Sequence, residues 1–122
     1  MKVRIQGNSF RFRLKQPEVV ALKGEGSIKE TVEFGASPAS SLSFSLQVKK
    51  DAQFSVLFKS NTVTFIIPSG VADHWVNSDS VGFEELIDTD ESRKIKLLVE
   101  KDFSCMQACT DENAGTFEQP FH

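Results

Sequence analysis

The sequence contains no tyrosine, one tryptophan, two cysteines and two histidines in 122 residues. Two thiols are too few for a disulfide framework, which favours a reducing compartment. No apolar run approaches the roughly 18 residues that a membrane span needs, and the charged N-terminal stretch does not have the apolar core of an export signal. We therefore predict a cytoplasmic protein with no membrane partner.

Eleven phenylalanines and one tryptophan make up the aromatic side chains. Because phenylalanine has no polar atom that needs a partner, most of these rings are expected in the core. A chain of 122 residues with 39% hydrophobic and 25% charged residues has the size and composition of one globular domain. Such a domain needs neither a metal nor a disulfide to fold.

The net charge of −3 is the sum of two opposed halves. Residues 1–60 contain ten Lys and Arg against five Asp and Glu, which gives +5. Residues 61–122 contain four against twelve, which gives −8. Such opposition indicates either a basic site for an anionic partner or two halves that lie against each other.

Strict alternation of apolar and polar residues predicts that residues 1–15 form two strands joined by a tight turn at Gly7-Asn8-Ser9. One face of this hairpin is apolar: Val3, Ile5, Phe10, Phe12 and Leu14. The other face carries five cations and no acid: Lys2, Arg4, Arg11, Arg13 and Lys15. We expect the apolar face to pack in the core and the cationic face to point away from it.

Six further segments of alternating residues predict strands, and helices are predicted near residues 17–23 and 70–76. Nearly every connection is too short for a parallel crossover, so the eight strands should form a mostly antiparallel sheet. We predict an α+β, mainly β domain over residues 1–103 that is barrel-like, with an open, curled sheet covered by a helix as the alternative. Residues 104–122 are predicted to be a tail that either packs on the domain through Phe117 and Phe121 or is mobile. No internal repeat is evident.

Four motifs are spread along most of the chain: Lys2-x-Arg4-x-x-Gly7-Asn8-Ser9-x-Arg11-x-Arg13-Leu14, Trp75, Val81-Gly82 and Val99-Glu100-Lys101-Asp102-Phe103-x-Cys105. Together they resemble a small family of uncharacterised bacterial proteins, a domain of unknown function. Because that family has no assigned activity, the resemblance implies no substrate, cofactor or catalytic residue.

The candidate binding site consists of six charged residues: Arg4, Arg11, Arg13, Lys15, Glu100 and Asp102. The planar guanidinium group binds phosphate or carboxylate through two hydrogen bonds, so one interpretation is a site for an anion. The other interpretation is that the cations are solvated or are paired with the two carboxylates of the last strand. If the first and last strands close a barrel, those carboxylates lie beside the basic hairpin.

No catalytic residue, metal site or cofactor is predicted. Cys105-x-x-x-Cys109 has the atoms of a zinc site, but no second pair completes four ligands, and two unlinked thiols are the preferred interpretation. Neither His74 nor His122 belongs to a nucleophile motif, and no glycine-rich phosphate loop is present. Nucleic acid is not a predicted partner, because the alternation places rings and cations on opposite faces and the isoelectric point is near 5.4.

We therefore predict a small non-enzymatic binding module whose basic face takes an anionic small molecule or a protein partner. The first alternative is an enzyme that acts on a phosphorylated or other anionic small molecule within a barrel, which requires a concave site where carboxylates and arginines converge. The second is a homo-oligomeric structural protein, which requires an exposed apolar patch or strand edge.

Overall fold

Eight strands and two α-helices occur in residues 1–102, which are the residues that the computed structural model describes. The strands are β1 (Lys2–Gln6), β2 (Ser9–Leu14), β3 (Ser27–Glu33), β4 (Ser41–Lys49), β5 (Ser55–Lys59), β6 (Thr62–Pro68), β7 (Gly82–Asp88) and β8 (Lys94–Lys101). The helices are α1 (Gln16–Glu25) and α2 (Ser69–Asn77). The predicted mainly β composition with two helices is confirmed, and the predicted tail over residues 104–122 lies outside the described residues.

Two tight hairpins follow from the local sequence. In the β1–β2 turn, Gly7 has a φ angle of 56°, a left-handed conformation that glycine adopts without steric cost. In the β5–β6 turn, Ser60 and Asn61 have φ angles of 52° and 59°, and asparagine tolerates this region better than most residues. Both hairpins pair antiparallel, as predicted.

The strands form two four-stranded sheets instead of one barrel-like sheet. Sheet A has the order β1-β2-β8-β7, and sheet B has the order β3-β4-β6-β5. The outer pairs of each sheet are antiparallel, whereas the central pairs β2–β8 and β4–β6 are parallel. The prediction of a mostly antiparallel, barrel-like sheet was wrong because it considered connections between consecutive strands only. Each hairpin places its inner strand beside a strand that is distant in sequence, so parallel neighbours arise without a direct crossover.

The two halves of the chain repeat the same ββαββ arrangement. The elements β1, β2, α1, β3 and β4 correspond in order to β5, β6, α2, β7 and β8. The register of three of the four strands repeats as well: Ser9 pairs with Lys96 in sheet A, and Thr62 pairs with Ser43 in sheet B, so equivalent positions in β1, β2 and β4 and in β5, β6 and β8 are 53 residues apart. Only three of the 13 residues from Lys2 to Leu14 are identical to their equivalents in the second half. This divergence explains why the sequence alone shows no repeat.

The core lies between the two sheets. Phe12 and Phe65 occupy equivalent positions on the two sheets, and their ring centroids are 5.6 Å apart. Nine large side chains are fully buried: Phe12, Leu14, Leu22, Leu46, Phe65, Ile67, Trp75, Leu97 and Val99. Most of the apolar face of the first hairpin therefore belongs to the core as expected, but Ile5 is 50% exposed. Phe34 and Phe58, at other strand ends, are each 74% exposed.

The helices follow β2 and β6, contact each other and touch strands of both sheets, so they cover one end of the core. Gly26, with a φ angle of 83°, ends α1 and donates its N–H to the carbonyl of Leu22 at 2.9 Å. In α2, the indole N–H of Trp75 donates to the carbonyl of Val81 at 3.0 Å, which attaches this helix to the start of β7. Neither helix in residues 1–102 has the length and hydropathy needed to cross a membrane.

Candidate functional site

The outer face of sheet A collects the cations of the first hairpin. Lys2 and Arg4 on β1, and Arg11 and Arg13 on β2, alternate with core residues and therefore share the face that points away from the core. The register sets Arg4 opposite Arg11 and Lys2 opposite Arg13. Opposite residues have Cβ atoms about 5 Å apart, and neighbours on the same face of one strand are about 7 Å apart. We call these four residues the basic face.

Glu100 on β8 lies beside the basic face because β8 pairs in parallel with β2. Its Oε1 atom accepts hydrogen bonds from the Nε atoms of Arg11 at 2.7 Å and Arg13 at 3.3 Å. Burial by itself raises the pKa of Glu100, but the hydrogen bonds and positive charges of the two arginines outweigh burial and lower the pKa below its ordinary value. Glu100 is therefore ionised at neutral pH. Its position results from the β2–β8 pairing and not from closure of a barrel.

The other candidate residues are placed differently. Asp102 is buried, and its Oδ2 atom lies 3.9 Å from the Nζ atom of Lys2. Arg4 is exposed and forms no ion pair with any residue between 1 and 102. Lys15 is the exposed residue that precedes α1, beyond the paired part of β2. The structure therefore brings Arg11 and Arg13 together with Glu100, places Arg4 opposite Arg11 and Asp102 at the margin, and leaves Lys15 apart.

The internal repeat supplies a comparison for this surface. At the positions equivalent to the basic face and Glu100, sheet B carries only uncharged side chains: Ser55, Leu57, Thr64, Ile66 and Gln47. Sheet B nevertheless forms the equivalent strand pairs, and the registers of β5–β6 and β4–β6 match those of β1–β2 and β2–β8. The architecture therefore does not require charges at these positions. Like charges directly opposite each other, as at Arg4 and Arg11, even oppose strand pairing.

Two leucines that the sequence analysis did not select lie on the same outer face as the arginines. Leu98 lies opposite Arg11 in the β2–β8 pair. Leu86, on β7, is 57% exposed and pairs with Lys96, which places it diagonally beside Leu98 on the outer face. The alternation along β7 and β8 is the signal that assigns both leucines to this face, but only the strand order brings them next to the basic face.

Gly82 keeps β7 close to Glu100. A Cβ atom at this position would collide with the carbonyl oxygen of Val99 and lie 3.1 Å from the Cγ atom of Glu100. A glycine inside a strand is typical of such a close backbone approach. Gly82 therefore helps to position the carboxylate that contacts Arg11 and Arg13.

The space between the sheets is filled by apolar side chains, and the arginines lie outside it. The described residues therefore contain no barrel interior of the kind that the enzyme alternative requires. A shallow depression between α1 and β3 is lined in part by Met1, Glu18 and Ile28. The amino group of Met1 donates hydrogen bonds there to Glu18 and Glu30. This depression contains none of the candidate site residues.

No metal site is formed by the part of the chain between residues 1 and 102, where no three His, Cys, Asp or Glu side chains are close enough to hold an ion. His74 is exposed in the last turn of α2. Cys105, Cys109 and His122 lie outside the described residues. The interpretation of the two cysteines as unlinked thiols stays a prediction.

These features define a class: a small α+β protein of two mixed four-stranded sheets, built from a repeated ββαββ unit, with a basic cluster around one glutamate on an outer face. The comparison with protein families identifies the particular family. Residues 1–121 match a family of unknown function, DUF7009, and the chain belongs to that family. The predicted membership in a family of unknown function is confirmed, while bacterial origin and cytoplasmic location stay predictions. No curated protein and no solved structure matches the chain.

Proposed function

We propose that this protein is a non-enzymatic binding module that holds an anionic ligand or partner on the basic face of sheet A. The observation that carries the proposal is the grouping of three arginines on one sheet face, where Arg11 and Arg13 share the carboxylate of Glu100 and Arg4 lies opposite Arg11. The equivalent positions of sheet B carry no charge, so the same strand pairing forms there without such a cluster. Charges that oppose strand pairing and are dispensable for the sheet favour a role in binding.

The hydrogen bonds of Glu100 leave part of each guanidinium group available. Arg11 and Arg13 both use Nε toward Glu100, and within residues 1–102 their terminal Nη atoms make no hydrogen bond. Arg4 adds a third guanidinium group on the same face. Terminal guanidinium nitrogens bind carboxylate and phosphate groups well. The arginines lie on a sheet face and not in a pocket, so an extended anion or a protein surface fits them better than an enclosed small molecule.

The proposal is tested by titrating hexaglutamate and, separately, tripolyphosphate into the full chain by isothermal calorimetry at low ionic strength. Replacing Arg4, Arg11 and Arg13 together by Gln should weaken binding about tenfold, because exposed charge contacts contribute up to about 1 kcal/mol each. Binding should also weaken as salt is added.

The matched control is the triple variant Lys29→Gln, Lys49→Gln and Lys59→Gln on sheet B, whose three lysines are exposed. It changes the net charge by the same amount but leaves the basic face intact, so the affinity should change little. Absence of binding by both anions, or an equal loss of affinity in the two triple variants, would reject the proposal.

A further inference from the structure

The end of the chain has a composition that is complementary to the basic face. Residues 103–122 contain three carboxylates, Asp111, Glu112 and Glu118, and no lysine or arginine. Opposite charges attract strongly only over about a Debye length, roughly 10 Å at 0.1 M salt, so the location of the two charged groups matters. The strand order shows how far the end of β8 lies from the arginines of the basic face.

The segment 103–122 follows β8 in the sequence, and the end of β8 lies beside the basic face. There β8 is hydrogen-bonded to β2, with Leu14 opposite Lys101. Arg11 lies three residues back along β2, at a distance of about 10 Å from this end of the pair. Asp111 comes nine residues after Asp102, and nine extended residues span up to about 30 Å. The carboxylates of the segment are therefore within reach of all three arginines.

The apolar residues on the outer face of sheet A are also complementary to those of the segment 103–122. The outer face of sheet A presents the exposed Leu86 diagonally beside Leu98, which is the neighbour of Arg11. In the segment, Phe117 directly precedes Glu118. A phenylalanine next to a carboxylate matches a leucine pair next to an arginine, because the ring covers apolar surface while the carboxylate contacts the guanidinium group.

We propose that the basic face binds an acidic peptide segment that carries aromatic side chains, and that residues 103–122 of the same chain are its occupant. This inference rests on the proposed function and names the class of partner: a peptide with carboxylates, as opposed to a phosphorylated ligand. A tethered segment experiences an effective concentration in the millimolar range, so a weak contact suffices to occupy the face. An acidic segment of another protein then competes with it.

The direct test uses the full chain and the NMR resonances of the arginine Nε–H groups. In the variant Asp111→Asn, Glu112→Gln and Glu118→Gln, the resonances of Arg4, Arg11 and Arg13 should shift, because the carboxylates no longer contact the guanidinium groups. The control variant Glu25→Gln, Glu33→Gln and Asp51→Asn changes the net charge equally at exposed sites and should leave these resonances unchanged. Unchanged resonances in both variants would overturn the inference.

A second measurement separates this inference from the proposed function. The variant with the neutral segment should bind hexaglutamate about two- to tenfold more tightly than the natural chain, since the competing carboxylates are absent. A synthetic peptide of residues 103–122 should bind to that variant and fail to bind when Arg4, Arg11 and Arg13 are also Gln. If hexaglutamate binds through the arginines with equal affinity in the natural chain and in the variant with the neutral segment, the proposed function stands and the intramolecular contact is rejected.

Discussion

At the scale of single residues, Glu100 determines how much positive charge the basic face presents. It accepts hydrogen bonds from Arg11 and Arg13, and its equivalent on sheet B is the neutral Gln47. The alternating sequence already assigned the arginines to one polar face. It did not determine which carboxylate would contact them, because that depends on which strand lies beside β2. The same carboxylate both stabilises the sheet and competes with an incoming anion.

Glu100→Gln should therefore lower the free energy of unfolding by about 1 kcal/mol at pH 7, because Arg11 and Arg13 lose their anionic acceptor. The pKa of Glu100 is lowered in the folded protein, so its ionised form stabilises the fold above its ordinary pKa. This contribution is lost as the pH falls through the lowered value. Urea denaturation should show the full difference in the free energy of unfolding between the natural chain and Glu100→Gln at pH 7. The difference should become smaller in acid.

The control is Glu84→Gln, which removes an ion pair with Lys96 in which both side chains are about half exposed. Its effect on stability should be smaller than that of Glu100→Gln. Glu100→Gln should also bind hexaglutamate more tightly than the natural chain. A difference in stability that is the same at pH 7 and in acid would contradict the role assigned to the carboxylate.

At the scale of secondary structure, the elements with local signals were predictable. Turn residues and alternation identified both hairpins, and the glycine at position 26 ends α1. Lys101 interrupts the apolar side of β8, and only the structure accounts for it. Its Nζ atom donates to the carbonyl of Ser78 at 2.8 Å and lies 5.7 Å from the ring centroid of Trp75. A lysine on the core side is thus accommodated by α2 and the loop that follows it.

Gly82→Ala should destabilise the protein by about 1–3 kcal/mol, a typical cost of overpacking. The new methyl group would collide with the Val99 carbonyl oxygen and crowd Glu100, so β7 must move away from β8. Thermal denaturation measures the loss. In the control Gly70→Ala the new methyl group has no neighbour within 4 Å, and helix propensity favours alanine there. Equal melting temperatures for the two variants would refute the proposed close approach at Gly82.

At the scale of the whole molecule, the two repeated halves depend on each other. The central neighbour of β2 is β8, and the central neighbour of β4 is β6, so each sheet contains one hairpin from each half. The core is shared in the same way, since Phe12 from the first half contacts Phe65 from the second. Each half therefore contributes one side of both central strand pairs and part of the shared core.

Fragments 1–52 and 53–122, cut in the connection between β4 and β5, should each be largely unfolded and should fold when mixed in equal amounts. The reason is that both parallel central pairs form only between halves. Circular dichroism of the separate and mixed fragments measures the change. A fragment that folds without the other fragment, for instance by pairing with a second copy of itself, would show that one repeat is sufficient for folding.

The local features were predictable from the order of residues alone: alternation defined the strands and their two faces, turn residues defined the hairpins, and the arginines were assigned to a polar face. These features depend on residues that are near each other in the chain. The tertiary structure alone decided that the strands form two sheets, that β8 lies parallel to β2, and that Glu100 contacts Arg11 and Arg13. Strand pairing uses backbone hydrogen bonds that are the same for nearly every residue, so the choice of a distant partner depends on how all the apolar faces pack together.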